Sequence, residues 1–439
     1  MTATEDGPAR DLLAFIDVSP TPYHAVAEVA QRLARAGFVE LRESDTWRLE
    51  PGARFFVVRS GSSIAAFVLG ERPVYEAGFA LIGAHTDSPN LRLKPQPDVH
   101  AYGYYQLAVE PYGSALLHTW LDRDLSLAGR VVVDEGGPVG RTRLVDFRRP
   151  LLRIPNLAIH LNRTVNADGL KLNAQSHMVP VAGLLGEGAA AEPQLETWLA
   201  AELESNGVQC RAEQIQAFDL CLYDVQPATF AGVRNELVLA PRLDNLASCH
   251  AALGALCAAP PGRPQTRGIV LYDHEEVGSQ SAQGAGSPFL RDVLERIADA
   301  LSGRAPDALA RALASSLLIS ADMAHGLHPN YPEKHEPGHR PILGKGPVLK
   351  SNVSQAYASD AETSARFQKL CQQVGVTPQH FVSRSDLACG STIGPITAGR
   401  VGLRTVDVGN PLLSMHSIRE MAAVSDVAAM QRVLSAFFA

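Results

Sequence analysis

Several things are scarce or missing in this chain, and each shortage closes off a class of function. No apolar run approaches the length that spans a bilayer, and charged residues interrupt every candidate, so no membrane partner is expected. The six cysteines (Cys210, Cys221, Cys249, Cys257, Cys371, Cys389) contain no Cys-x-x-Cys pair. That argues against a thiolate zinc site or a disulfide frame, and for reduced thiols in a cytoplasm. No Lys/Arg cluster stands out and the formal net charge is −7, a poor basis for binding nucleic acid. The opening residues, Met1-Thr-Ala-Thr-Glu-Asp-Gly7, lack the basic-then-apolar order of a secretory signal, which again points to a cytoplasmic protein. Internal repeats and low-complexity tracts are missing too.

What is present reads as a globular chain. Hydrophobic residues make up 46% and charged residues 19%, and 439 residues exceed what one ordinary core accommodates, so two domains are expected. Residues 11–37 suggest an opening helix, with Thr21-Pro22 as cap and first-turn proline and Gly37 as the stop. Residues 55–58, 64–69 and 79–84 read as short strands, the last apolar on both faces like a central strand of a helix-covered sheet. From about Pro97 to Pro227 the texture becomes mostly β, with short alternating segments broken by Gly and Pro and one helical stretch at 192–206. After Asn235 the αβ alternation returns: a helix at 245–258, strands at 268–272, 317–320 and 401–408, a helix opened by Ser287-Pro288, and a closing helix at 417–438. The expected architecture is an α/β domain of residues 1–96 and 228–439, interrupted by a β-rich domain of residues 97–227. The Pro-, Gly- and His-rich stretch 325–347 is a long loop, and loops of that length usually carry function.

The chemistry gathers at strand ends. Asp273-His274-Glu275-Glu276-Val277-Gly278-Ser279 follows an apolar strand, and adjacent carboxylates there are costly unless a cation sits beside them. Four other segments of the same kind carry His or Asp: His85-Thr86-Asp87, Leu243-Asp244-Asn245, Ala321-Asp322 and Met415-His416. In open α/β sheets, ligands bind beyond the carboxyl ends of the strands, so these residues are a plausible ligand set for two divalent metals and metal-assisted hydrolysis. Asp87 could accept a hydrogen bond from the second imidazole nitrogen of His85 and fix its tautomer. Of Glu275 and Glu276, one could bind metal while the other faces an attacking water. Taken one by one the bland readings stand: a surface turn for His85, a helix N-cap for Asp244 or Asp322, a surface or packed histidine for His416. The histidines of the long loop (His325, His328, His335, His339) have no compact ligand spacing and are read as a pocket wall.

With those residues in view, the chain resembles the aspartyl aminopeptidase family over nearly its whole length. The segments that carry the resemblance are GAHTDSPNLRLKP, IPNLAIHLNR, PRLDNLASC, DHEEVGSQSAQGAGSP, ISADMAHGLHPNY, GPVLKSNVSQAYA, SRSDLACGSTIGP and VDVGNPLLSMHSIRE. The resemblance implies a phosphorylase/hydrolase-like catalytic domain with an inserted dimerisation domain, assembled as a tetrahedral dodecamer. It implies one metal held by His85, Asp244 and Asp322, a second held by Asp244, Glu276 and His416, and Glu275 as general base. Lys350, Tyr357 and His325 would contact substrate, and His160 would reach a neighbouring subunit's site. The metals would be zinc, although a mixed N/O ligand set also admits cobalt or manganese. The substrate would be a peptide with an N-terminal Asp or Glu. Reading that acidic side chain requires a local cation, because overall charge is negative, and Lys350 is the candidate. The rivals are a same-fold aminopeptidase of other preference, an amidohydrolase removing acyl groups, and a non-catalytic cargo or assembly scaffold.

Overall fold

A computed structural model describes residues 6–186, 194–302 and 305–439. The chain divides into two compact units. The larger takes in the residues up to Asp87, Ala228–Met415 and Glu420–Ala439; the smaller takes in Ser88–Pro227 and His416–Arg419.

The larger unit is built on a nine-stranded sheet. In chain order its strands are β1 (Val39–Leu41), β2 (Arg54–Arg59), β3 (Ser63–Val68), β4 (Phe79–His85), β5 (Thr266–Tyr272), β6 (Leu317–Ala321), β7 (Val348–Lys350), β8 (Gln379–Phe381) and β9 (Arg404–Gly409). They lie side by side in the order β1-β2-β3-β5-β4-β6-β9-β7-β8. The central strands β5, β4, β6 and β9 are mutually parallel. Every residue of β4, β5 and β6 is buried, because helices cover both faces. Side chains alternate between the two layers: Ala80, Ile82 and Ala84 join one core, Phe79 and Leu81 the other. The first core is closed by α3 (Leu243–Cys257) and α5 (Val424–Phe438), the second by α4 (Phe289–Leu301).

Two helix expectations need correcting. The opening segment is two helices, α1 (Gly7–Asp17) and α2 (Pro22–Arg35), because Pro20 and Pro22 interrupt it and Thr21 is extended at φ −141° and ψ 165°. The closing helix starts at Val424; Glu420–Ala423 ahead of it is a strand, so His416 stands in a turn rather than at a helix start. That strand belongs to a five-stranded sheet with Thr229–Ala231, Leu237–Ala240, Pro411–Leu413 and Ala324–His325.

The smaller unit is a six-stranded sheet whose neighbouring strands are antiparallel, in the order Arg141–Asp146, Leu125–Val133, Ile215–Asp224, Asn90–Ala101, Tyr104–Tyr112, Val181–Leu184. It begins at Ser88 rather than near Pro97, because the strand Asn90–Ala101 pairs within this sheet. A helix at Leu195–Ser205 packs Leu195, Leu199 and Leu203 into the core formed by Leu91, Leu107, Leu127 and Leu220. The expected helical residues Glu192 and Pro193 lie outside the described residues. Among the described residues, no helix is long and apolar enough to cross a membrane.

Candidate metal centre

The parallel register brings the chemistry to one edge. Tyr272 pairs with His85 and Ser320 with Gly83, so the chain leaving β4, β5 and β6 emerges at the same end of the sheet. There His85 Nε2 lies 3.5 Å from Asp244 Oδ1 and 3.5 Å from Asp322 Oδ1. His85, Asp244 and Glu276 each offer a donor atom within 4.8 Å of the others. His85, Asp244 and Asp322 are buried.

Local backbone aims these groups. Arg242 (φ 56°), two residues before Asp244, and His274 (φ 62°), directly before Glu275, both adopt left-handed conformations, a cost that non-glycine residues pay mostly where a site demands it. Asp244 and Asn245 depart from helical dihedrals at the start of α3 and are joined by a cis peptide bond. The main-chain N–H of Asp244 donates to Glu420 Oε2 at 3.0 Å, and Asn245 Nδ2 donates to the carbonyl of Ala321 at 2.8 Å. Gly409 on β9 is required because a Cβ there would sit 1.7 Å from the Asp322 carbonyl oxygen.

Asp87 does more than the sequence suggested. His85 Nδ1 donates to the Asp87 main-chain carbonyl at 3.0 Å and lies 3.4 Å from its carboxylate, which leaves Nε2 facing Asp244 and Asp322. The same carboxylate accepts the main-chain N–H groups of Glu275 and Glu276, both at 3.1 Å. One side chain therefore orients the imidazole and clamps the acidic turn. Neither this clamp nor the Glu420 contact has a local sequence signal, because both partners are far away along the chain.

The electrostatics suit a cation. Burial, with the neighbouring carboxylates adding to it, pushes Glu275 up to about 8 and raises Glu276 well above the carboxylate range. For His85, burial opposes the charged form, but Asp244, Asp322 and Asp87 outweigh it and raise the imidazole. The carboxylates of Asp87, Asp244, Glu275, Glu276 and Asp322 thus share one region, and the ammonium of Lys350 pairs with Asp322 alone among these five. Two carboxylates as close as Asp244 and Glu276, with oxygens within 4.8 Å, repel by about 3–4 kcal/mol when both are charged at an effective dielectric near 20, so a nearby positive charge is favoured. The donor set passes a second test: ligand atoms about 2.1 Å from one ion in a tetrahedron stand roughly 3.4 Å apart, close to the observed separations around His85 Nε2. One imidazole nitrogen with carboxylate oxygens is a zinc-compatible set.

The remaining residues fall in three places. Lys350, expected to read the substrate, is 2% exposed and donates to Asp322 Oδ2 at 3.3 Å and to the Met323 carbonyl at 3.0 Å. Its ammonium also sits 5.2 Å from the centre of the Tyr357 ring. The charge is thus paired with Asp322, a partner the sequence does not disclose. His325 and Tyr357 line a pocket of about 340 Å³ with His328, His335, Lys334 and Arg384, and no carboxylate is among the described residues that line it. His416 and His160 belong to the smaller unit. The His416 Nδ1 lies 3.2 Å from the Ser114 carbonyl oxygen, and His160 is exposed on a short turn, Ile159–Leu161.

Comparison with known proteins agrees with this centre. The profile described as "Aminopeptidase I zinc metalloprotease (M18)" matches residues 15–438. A protein of Pseudomonas aeruginosa named "Probable M18 family aminopeptidase 2" is 49% identical over 432 residues, covering 98% of this chain and 97% of its own length. A protein of the same name from Azotobacter vinelandii is 48% identical, with the same coverage of both chains. The solved complex of Ape4 and Nbr1 contains a chain 42% identical to this one, with a TM-score of 0.96, covering 100% of this chain and 86% of that one. Yeast aminopeptidase 1 is 30% identical with a TM-score of 0.85, covering 99% of this chain and 97% of its own. The chain belongs to the M18 family of zinc metalloprotease aminopeptidases.

Proposed function

We propose that this aminopeptidase holds two divalent metals, zinc by preference, and removes acidic residues from the N-termini of peptides. The observation that carries the reading is the buried group of His85, Asp244, Glu276 and Asp322 beside Glu275, at one edge of the parallel sheet. His85, Asp244 and Asp322 would hold one ion. Asp244 and Glu276 would hold the other, with His416 assigned to it on its motif alone. Two dications would answer the repulsion among these carboxylates. A bound divalent metal supplies a water of lowered pKa and a polarised carbonyl. Glu275 accepts the proton of the attacking water and returns it to the departing amine. Lys350 fixes Asp322, and Asp87 fixes both His85 and the turn that carries Glu275.

The acidic preference rests on the pocket beside this centre. Lys334 and three histidines line it without a carboxylate among its described lining residues, while the Arg384 of its wall is paired with Asp386; the lysine and the imidazoles are the groups that would meet a substrate Asp or Glu side chain. The test is hydrolysis of Asp-, Glu-, Leu- and Lys-arylamides by zinc-loaded enzyme, before and after chelation. Asp and Glu substrates should lead, and chelation should abolish turnover. Preference for Leu or Lys would replace the acidic reading with a same-fold enzyme of other specificity, and a loaded protein that cleaves none would be a scaffold.

Lys350→Met separates the two roles considered for that residue. Because it anchors Asp322, its loss should lower kcat/KM by about ten- to a hundredfold for acidic and neutral substrates alike. A loss confined to acidic substrates would return Lys350 to the pocket.

We also propose a homo-oligomer, with the dodecamer as the expected form and the cytoplasm as its location. The relative titled as an mApe1 dodecamer from S. cerevisiae is 30% identical with a TM-score of 0.86. Here the exposed Leu157, Ile159 and Leu161 form an apolar strip around His160 that a second copy would cover, delivering His160 to a neighbouring site.

A further inference from the structure

A second cavity, of about 810 Å³, lies in the larger unit and is not used by the chemistry above. It begins at Ser351, one residue beyond the lysine that holds Asp322. Its wall of Val382, Ser383, Arg384 and Leu387 is shared with the 340 Å³ pocket that His325 and Tyr357 line. The two spaces therefore adjoin, and one is more than twice the size of the other.

The lining of the larger space is neutral and hydrogen-bonding: Ser351, Asn352, Ser354, Gln355, Ser383 and Ser385. Its two charged residues are already engaged. Arg384 bonds Asp386 at 2.8 and 2.6 Å and the Glu333 carbonyl at 2.7 Å, while Asp360 accepts the Thr363 N–H at 2.8 Å to cap the helix Ala361–Gln373. Asn352 Oδ1 accepts the N–H groups of Ser354 and Ala356, at 2.9 and 3.3 Å, which sets this part of the wall before any ligand arrives. Hydroxyls and amides bond peptide N–H and C=O groups equally well, and select against neither charge nor side chain. A phosphate or carboxylate would find no uncommitted cation here, while Val353, Val382 and Leu387 add apolar wall for the side chains of a bound peptide.

Building on the aminopeptidase reading, we propose that this groove holds the substrate residues downstream of the cleaved bond and binds them through their backbone. The smaller pocket, with Lys334 and its histidines, takes the first side chain; the larger groove takes whatever sequence follows. Recognition is thereby selective at one position and permissive at the next ones.

The variants are Ser354→Trp and Ser385→Trp, two exposed positions on different walls, each made in the full-length, zinc-loaded enzyme. Two substrates are compared: an Asp-arylamide, which ends at the cleaved bond, and an Asp-initiated pentapeptide with neutral following residues. The pentapeptide should lose about tenfold in kcat/KM, through KM, while the arylamide changes less than about twofold. Equal losses on both substrates, or none on either, overturn the groove. A binding arm runs in the Glu275→Gln background with a pentapeptide labelled at its C-terminus, read by fluorescence anisotropy. Unchanged affinity in both tryptophan variants also overturns the groove. If the wild-type enzyme cleaves neither substrate, the aminopeptidase reading fails, and the binding arm alone judges the groove.

Discussion

Glu275→Gln is expected to keep its metal and lose turnover by about a hundred- to ten-thousandfold, the range associated with removing a general base. The substitution preserves shape and removes only the ability to take up a proton. Glu275 is outside the donor group of His85, Asp244 and Glu276, so metal content should match the wild type. Its main-chain N–H bond to Asp87, at 3.1 Å, does not involve the side chain and should survive. The measurements are kcat on an Asp-arylamide and elemental analysis of the purified protein. Full turnover with metal present would remove Glu275 from proton transfer. Loss of metal together with turnover would make it a ligand instead.

Asp244→Asn should have a different signature. Asp244 faces His85 at 3.5 Å and shares the donor group with Glu276, and it is the carboxylate proposed above to serve two ions. An amide there keeps the volume, and the main-chain bond to Glu420 is untouched. Metal content and activity should both collapse. The metal-free protein should be no less stable than metal-free wild type, since one of several mutually repelling buried carboxylates has become neutral. Zinc at a hundredfold excess over its Kd stabilises a binding protein by about 2.7 kcal/mol, so added zinc should raise the wild-type Tm and leave the variant's unchanged. A variant that binds zinc and turns over would refute the shared role of Asp244.

These contrasts rest on positions that the sequence could reveal only in part. Strands β4, β5 and β6 were legible because they are apolar on both faces, and the residues after them were legible as strand-end groups. That His85, Glu276 and Asp322 meet follows from parallel pairing, which an alternating αβ pattern implies, whereas Asp244 arrives from the strand Leu237–Ala240 of the five-stranded sheet. What escaped the reading depends on partners distant in the chain. Lys350 looked like an exposed reader of substrate charge because nothing near it in sequence discloses its bond to Asp322. Asp87 looked like a simple partner for His85, since its grip on the Glu275–Glu276 turn spans nearly two hundred residues. The break between α1 and α2 and the late start of the closing helix at Val424 are local: Pro22 reads as a helix start, but Pro20 just ahead of it is also a stop.

The segment His416–Arg419 has a consequence for engineering. These four residues lie almost two hundred positions after Pro227, yet they complete the smaller unit. Ile418 is buried among its leucines and donates its N–H to Thr119 Oγ1 at 3.0 Å. A polypeptide cut out as 88–227 would therefore leave a hole in its own interior and a Leu116 N–H without the His416 carbonyl that accepts it at 3.0 Å. Grafting experiments that treat that stretch as a cassette should yield poorly folded material unless the 416–419 strip is supplied in trans or stitched on through a linker.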